Sequence, residues 1–174
     1  MLKLWLTLVA LAVIIFTMVA TMVWYEEQVR VADALTIPMA GGEEEFGMHT
    51  FRWLIAHNAF EVFQPDTFYF GGMIRSMQVA RMCEAAGKEI VPHMSEGGLG
   101  YLYMLHLVSA CPNAGKYHEF KMFETRDANG TIIPIKSKTE PFSSVDGVVG
   151  VPTGPGLGIT IDPAYIATHR VLYG

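Results

Sequence analysis

Residues 37–43 read Ile37-Pro38-Met39-Ala40-Gly41-Gly42-Glu43: an apolar run, a glycine pair and an acid. Ile37–Ala40 reads as a short buried strand. The run ends in Gly41-Gly42-Glu43, so Glu43 falls at the strand's carboxyl end. The same arrangement recurs downstream. Glu61–Gln64 reads as a strand ending at Pro65-Asp66, Glu89–Pro92 as one ending at His93, and Tyr117–Phe120 as one carrying Glu119. Between these tips the apolar residues fall at helical spacing. Met48, Phe51, Leu54 and Ile55 mark one helix. Gly71-Gly72 opens a second, with Met73, Met77, Ala80 and Cys83 inward, and Gly87 stops it. Leu99, Leu102, Tyr103, His106 and Ala110 mark a third, ended by Pro112-Asn113.

Strands alternating with helices imply βαβ units and a parallel sheet. The repeat of about 25–28 residues suits a barrel or a doubly wound sheet, and both build their sites at the carboxyl ends of strands. Glu43, Asp66, His93 and Glu119 all fall there, so four ionisable groups converge on one mouth. His106, on an apolar helix face, reads as a satisfied core histidine. The chain has 174 residues, whereas a complete eight-unit barrel takes about 250. The expectation is therefore an α/β protein carrying part of a barrel.

Of the residues, 51% are hydrophobic and 17% charged, below the roughly 25% charged that is usual. One segment supplies much of the bias. Leu4–Val23 carries no charge, and its length matches a bilayer's hydrocarbon core, so residues 4–23 read as a membrane anchor, as a buried element or, though no A-x-A site follows, as a signal peptide. The net charge of −5 and the lack of a Lys/Arg cluster exclude a nucleic-acid partner. Cys83 and Cys111 form no CxxC motif and read as buried thiols. Residues 141–174 are rich in glycine and proline at first, and Pro141–Asp162 reads as strands and turns. The organisation expected is an apolar segment over 1–23, the partial barrel over 24–140 and a tail over 141–174.

Taken in order, these pieces resemble the enolase superfamily, in its mandelate racemase/muconate lactonizing enzyme branch. Trp24-Tyr25-Glu26-Glu27 looks like one strand end of that family, and Ile37 to Glu43 like the next. Gln64-Pro65-Asp66 with Gly71-Gly72, and then Val91-Pro92-His93, are similar to the two that follow. Asp146-Gly147 and Val151-Pro152-Thr153-Gly154-Pro155-Gly156-Leu157-Gly158 resemble the family's closing motif.

The resemblance implies the C-terminal part of an enolase-type TIM barrel and a Mg2+-dependent lyase or isomerase. Such an enzyme removes a proton alpha to a carboxylate. Glu43 and Glu26 would be metal ligands, His93 and Asp66 a proton-moving dyad, and Glu119 an acid that hydrogen-bonds the developing enediolate. A carboxylate beside one imidazole nitrogen fixes the tautomer and raises the basicity of the other. The substrate would be a small carboxylate, an acid sugar or hydroxy acid, and the location cytoplasmic. The family's capping domain, K-x-K base strand and D-x-N ligand strand have no counterpart in the sequence, and Gln28 stands where the family has proline. The expectation is thus a chain inactive alone, with assembly into a homo-oligomer left open. The competing reading is a membrane-anchored, non-catalytic binding protein derived from the family.

Overall fold

The computed structural model describes residues 24–94, 97–120, 132–137 and 143–169. Its elements are α1 (Tyr25–Ala34), β1 (Ala40–Gly41), α2 (Met48–Ala56), β2 (Val62–Phe63), α3 (Met73–Ala85), β3 (Glu89–Ile90), α4 (Leu99–Ser109), β4 (Ile135–Ser137), β5 (Ile159–Ile161) and α5 (Pro163–Ala167). β1, β2 and β3 form a parallel sheet in that order. A parallel bridge from Ile90 to Ala114 continues it by one residue. The alternation read from the sequence is therefore an α/β fold with a parallel sheet.

The strands are shorter than expected because ladder bonds persist only between the turns. Gln64 N donates to Gly41 O at 2.8 Å and Val91 N to Phe63 O at 2.9 Å, and beyond them the chain leaves the sheet. Tyr117–Phe120, expected as a strand, is irregular. The register of β1 depends on a close approach. A Cβ on Gly41 would sit 2.6 Å from the Phe60 ring, so only glycine lets the strand lie against that side chain.

Helix α3 begins and ends where the glycines placed it. Gly71 and Gly72 have φ of 96° and 97°, a region costly for other residues, and Gly87 follows the last turn at 68°. Its buried face differs from the expected one: Ser76, Val79, Ala80 and Cys83 are buried, while Met73 and Met77 are only partly covered. In α4 the inward residues are Tyr101, Leu102, Met104, Leu105 and Leu107, and Tyr103 points outward. That helix is apolar on nearly every side, so its spacing could not choose a face.

Among the described residues, three apolar clusters form the interior. The largest joins Phe51, Leu54, Phe60, Phe63, Phe70 and Val79, with α1 packed on it through Val29, Val31 and Ala32. A second packs Tyr101, Leu102 and Leu105 of α4 against Leu157 and Ile159 of the tail. Ala80, Ile90, Leu107 and Cys111 form a small cluster of their own between α3, β3 and α4.

The tail forms an antiparallel pair. β4 and β5 meet in the register Ile135 with Ile161 and Ser137 with Ile159, so the pairing crosses the boundary expected at residue 140. Asp162 then caps α5, its Oδ1 accepting from Ala164 N at 2.9 Å. No described helix is long and apolar enough to cross a membrane. Residues 4–23, on which the anchor expectation rests, lie outside the described residues.

Candidate active site

The carboxyl ends of β1 and β3 bring two of the expected residues, Glu43 and His93, together, and Glu119 joins them from the chain beyond. Beyond β1, Gly42 takes a φ of 103° and Glu45 N closes a turn onto Gly42 O at 3.3 Å. That turn carries Glu43. Beyond β3, Val91 and Pro92 lead to His93. The His93 Nδ1 lies 3.2 Å from Glu43 Oε2 and 3.2 Å from Glu119 Oε1. The other oxygen of Glu119 accepts from Met94 N at 3.0 Å. Glu119 thus grips both the ring and the backbone beside it, although it sits on no strand.

One imidazole nitrogen facing two carboxylate oxygens must carry the proton between them, which assigns the tautomer. Nε2 has no hydrogen-bond partner among the described residues. The His93, Glu43 and Glu119 side chains are 23%, 29% and 38% exposed, open enough to meet a solute and to be screened by water.

Asp66 is placed differently from the expectation. Its side chain is fully buried, and Oδ1 accepts from Phe68 N at 2.7 Å and Tyr69 N at 3.2 Å. Oδ2 is buried without a partner. No hydrogen bond joins it to His93. The physical reason is local: an aspartate opening a turn satisfies the next free amides first.

Glu26 also stands on a different element from the one expected. Trp24 to Glu27 is not a strand end, since helix α1 starts at Tyr25 and Glu26 lies exposed in its first turn. Acids at a helix N-terminus are favourable, and the apolar face of α1 is held by the core. Among the described residues no three His, Cys, Asp or Glu side chains are grouped to hold a metal ion. Glu43 and Glu119 share an imidazole instead, so the described residues do not by themselves fit Mg2+, which asks for hard oxygens in octahedral array.

Sequence reasoning missed Glu45. It is buried, accepts a hydrogen bond from Tyr25 Oη at 3.1 Å, and so ties the start of α1 to the loop bearing Glu43. Desolvation pushes its carboxyl above the usual range, against the pull of the tyrosine hydroxyl. An acid raised in this way weakens the fold once ionised, so its cost appears as pH climbs past the ordinary carboxylate value. The signal available was its place in Glu43-Glu44-Glu45, which reads as a solvated run. His106 is satisfied as expected, with Nε2 3.1 Å from Leu157 O.

Comparison with known proteins completes the picture. The profile of the enolase C-terminal domain-like family matches residues 20–165. D-galactarolactone cycloisomerase of Agrobacterium fabrum is 30% identical over 158 residues, covering 85% of this chain and 42% of that protein. Arabinonate dehydratase of Saccharolobus solfataricus is 28% identical over 132 residues, covering 76% of this chain and 33% of that protein. The crystal structure of a candidate racemase from Roseobacter denitrificans superposes with a TM-score of 0.67 at 32% identity, over 82% of this chain and 38% of that one. The chain thus spans less than half the length of the relatives it matches. On the family match it belongs to the enolase superfamily, within the mandelate racemase/muconate lactonizing enzyme group and in the region of that group's C-terminal domain.

Proposed function

We propose that the chain carries proton-moving residues of an enzyme that acts alpha to a substrate carboxylate, as an acid-sugar dehydratase or a racemase/epimerase. The three parallel strands would be consecutive strands of a (β/α) barrel. The observation that carries this reading is His93 held at Nδ1 between Glu43 and Glu119, with Nε2 open. With Nδ1 donating, Nε2 accepts a proton from carbon, and the carboxylates beside Nδ1 steady the charge the ring then bears. Glu119, anchored by the Met94 amide, keeps the ring from turning and stands ready to bond an oxygen of the substrate. Asp66 acts by shaping the turn beside the mouth.

Magnesium is the metal that this family's chemistry employs to stabilise the enediolate. Glu43 is the one expected ligand at a strand tip, and the described residues do not complete a set. No step is derived through the metal. For the same reason the chain alone is expected to turn over no substrate. A magnesium-dependent exchange of the alpha proton of an acid sugar into deuterium oxide, lost in His93→Ala, would overturn that expectation.

Binding tests the site directly. Galactonate added to the full chain should shift the ring resonances of His93 in a histidine-resolved NMR spectrum. Those of His57, stacked on Trp53 at 3.9 Å, should stay in place. An unmoved His93 signal rejects the reading.

A further inference from the structure

Arg75 lies in the first turn of α3, at the end of the sheet that carries His93. Its guanidinium is fixed by neutral groups. Nη2 donates to Phe46 O at 3.1 Å, and the Phe70 ring lies 4.5 Å from Cζ. The stem passes Gly71, where a Cβ would come within 3.2 Å of Arg75 Cδ. No carboxylate partners it among the described residues, although the chain has 17 Asp and Glu and a formal net charge of −5. Its remaining N–H groups are thus oriented in advance with no anion among the described residues to receive them.

Two exposed aromatic rings stand beside it. Phe46 is 63% exposed and Tyr69 50% exposed, and their rings meet edge to face at 6.3 Å. Phe46 follows Glu43 by three positions and Tyr69 follows Asp66 by three. Both belong to loops at the carboxyl ends of β1 and β2. Flat apolar rings lie against C–H faces of a carbon chain, while a planar guanidinium takes a carboxylate in a forked pair. A cation immobilised before binding forfeits less freedom when its anion arrives.

We propose that Arg75, with Phe46 and Tyr69, forms a second carboxylate subsite at the rim of the mouth, so that the substrate is a polyhydroxylated diacid rather than a monoacid. The inference rests on the proton-abstraction reading, which places the first carboxylate near His93.

Calorimetric titration of the full chain with galactarate, a six-carbon diacid, and galactonate, its monoacid counterpart, tests it. Galactarate should bind about tenfold more tightly, the size of one charge-assisted pair at a partly open site. Arg75→Gln should bring the two affinities within about twofold of each other by weakening only the diacid. Phe46→Ala should weaken both acids and leave their ratio unchanged. If Arg75→Gln does not fold, Arg75→Lys, which keeps the charge but not the fork, should still lower the preference severalfold. Equal affinities in the wild-type chain, or a preference that survives at position 75, overturns the subsite and leaves the proton-abstraction reading standing. If neither acid binds the wild-type chain, that reading fails and the subsite with it.

Discussion

Asp66 shows how a side chain can stand past a strand end and spend its hydrogen bonds elsewhere than expected. Its place after Gln64-Pro65 was legible, but its oxygen caps two amides of its own turn instead of the imidazole. Asp66→Ala should therefore destabilise the fold by about 1–2 kcal/mol, while Asp66→Asn, which keeps the accepting oxygen, should cost less than half as much; chemical denaturation of the two variants measures this. Cys83 was legible as a buried thiol because nothing nearby resembled a metal motif. Burial pushes it up to about 12, and Cys111 is raised for the same reason. Both stay protonated at pH 8, so an aromatic disulfide reagent should label the native chain at least about tenfold more slowly than the unfolded chain. Gly41 is constrained by the Phe60 ring, a contact that its neighbours in the sequence do not reveal. Gly41→Ala should cost about 1–3 kcal/mol by overpacking, and Phe60→Leu in the same chain should recover part of the lost melting temperature.

Elements were legible where punctuation was strong. α3 lies between two positive-φ glycines and Gly87, and those residues admit few alternatives. The stretch before Ile37 has no such marks. Trp24 to Glu27 took its assignment from resemblance, and the helix that actually forms there follows from an apolar face that finds the core. The strand expected around Glu119 failed for the opposite reason. A few apolar and aromatic residues do not make a strand without a ladder partner, and the only described bridge to the sheet on that side is at Ala114. Asn113 secures that edge. Its Nδ2 donates to Ala80 O at 3.1 Å and Lys88 O at 3.0 Å, linking α3, the start of β3 and the bridge. Asn113→Ala should cost about 1–3 kcal/mol. Hydrogen exchange should quicken first at Ile90 and Gly115, whose amides bond across the bridge.

At the scale of the molecule, the apolar clusters divide the work unequally. The β1–β2 side has the large aromatic cluster, and α4 with the tail has another. Between them stands a cluster of four buried residues, among which Leu107 is 1% exposed. Leu107→Ala should cost about 2–4 kcal/mol. It should also separate the unfolding curves followed by near-ultraviolet and far-ultraviolet circular dichroism, because the two larger clusters would melt less in concert. Coincident curves would show that one cooperative unit survives the deletion.

His93, Glu43, Asp66 and the Arg75 corner all lie past the carboxyl ends of three very short strands, and Gly41 and Phe60 lock the frame beneath them. A lineage carrying this chain can therefore exchange loop residues at one end while the frame stays untouched. Heritable variation should concentrate at that end, and drift should be slowest where a glycine meets a ring.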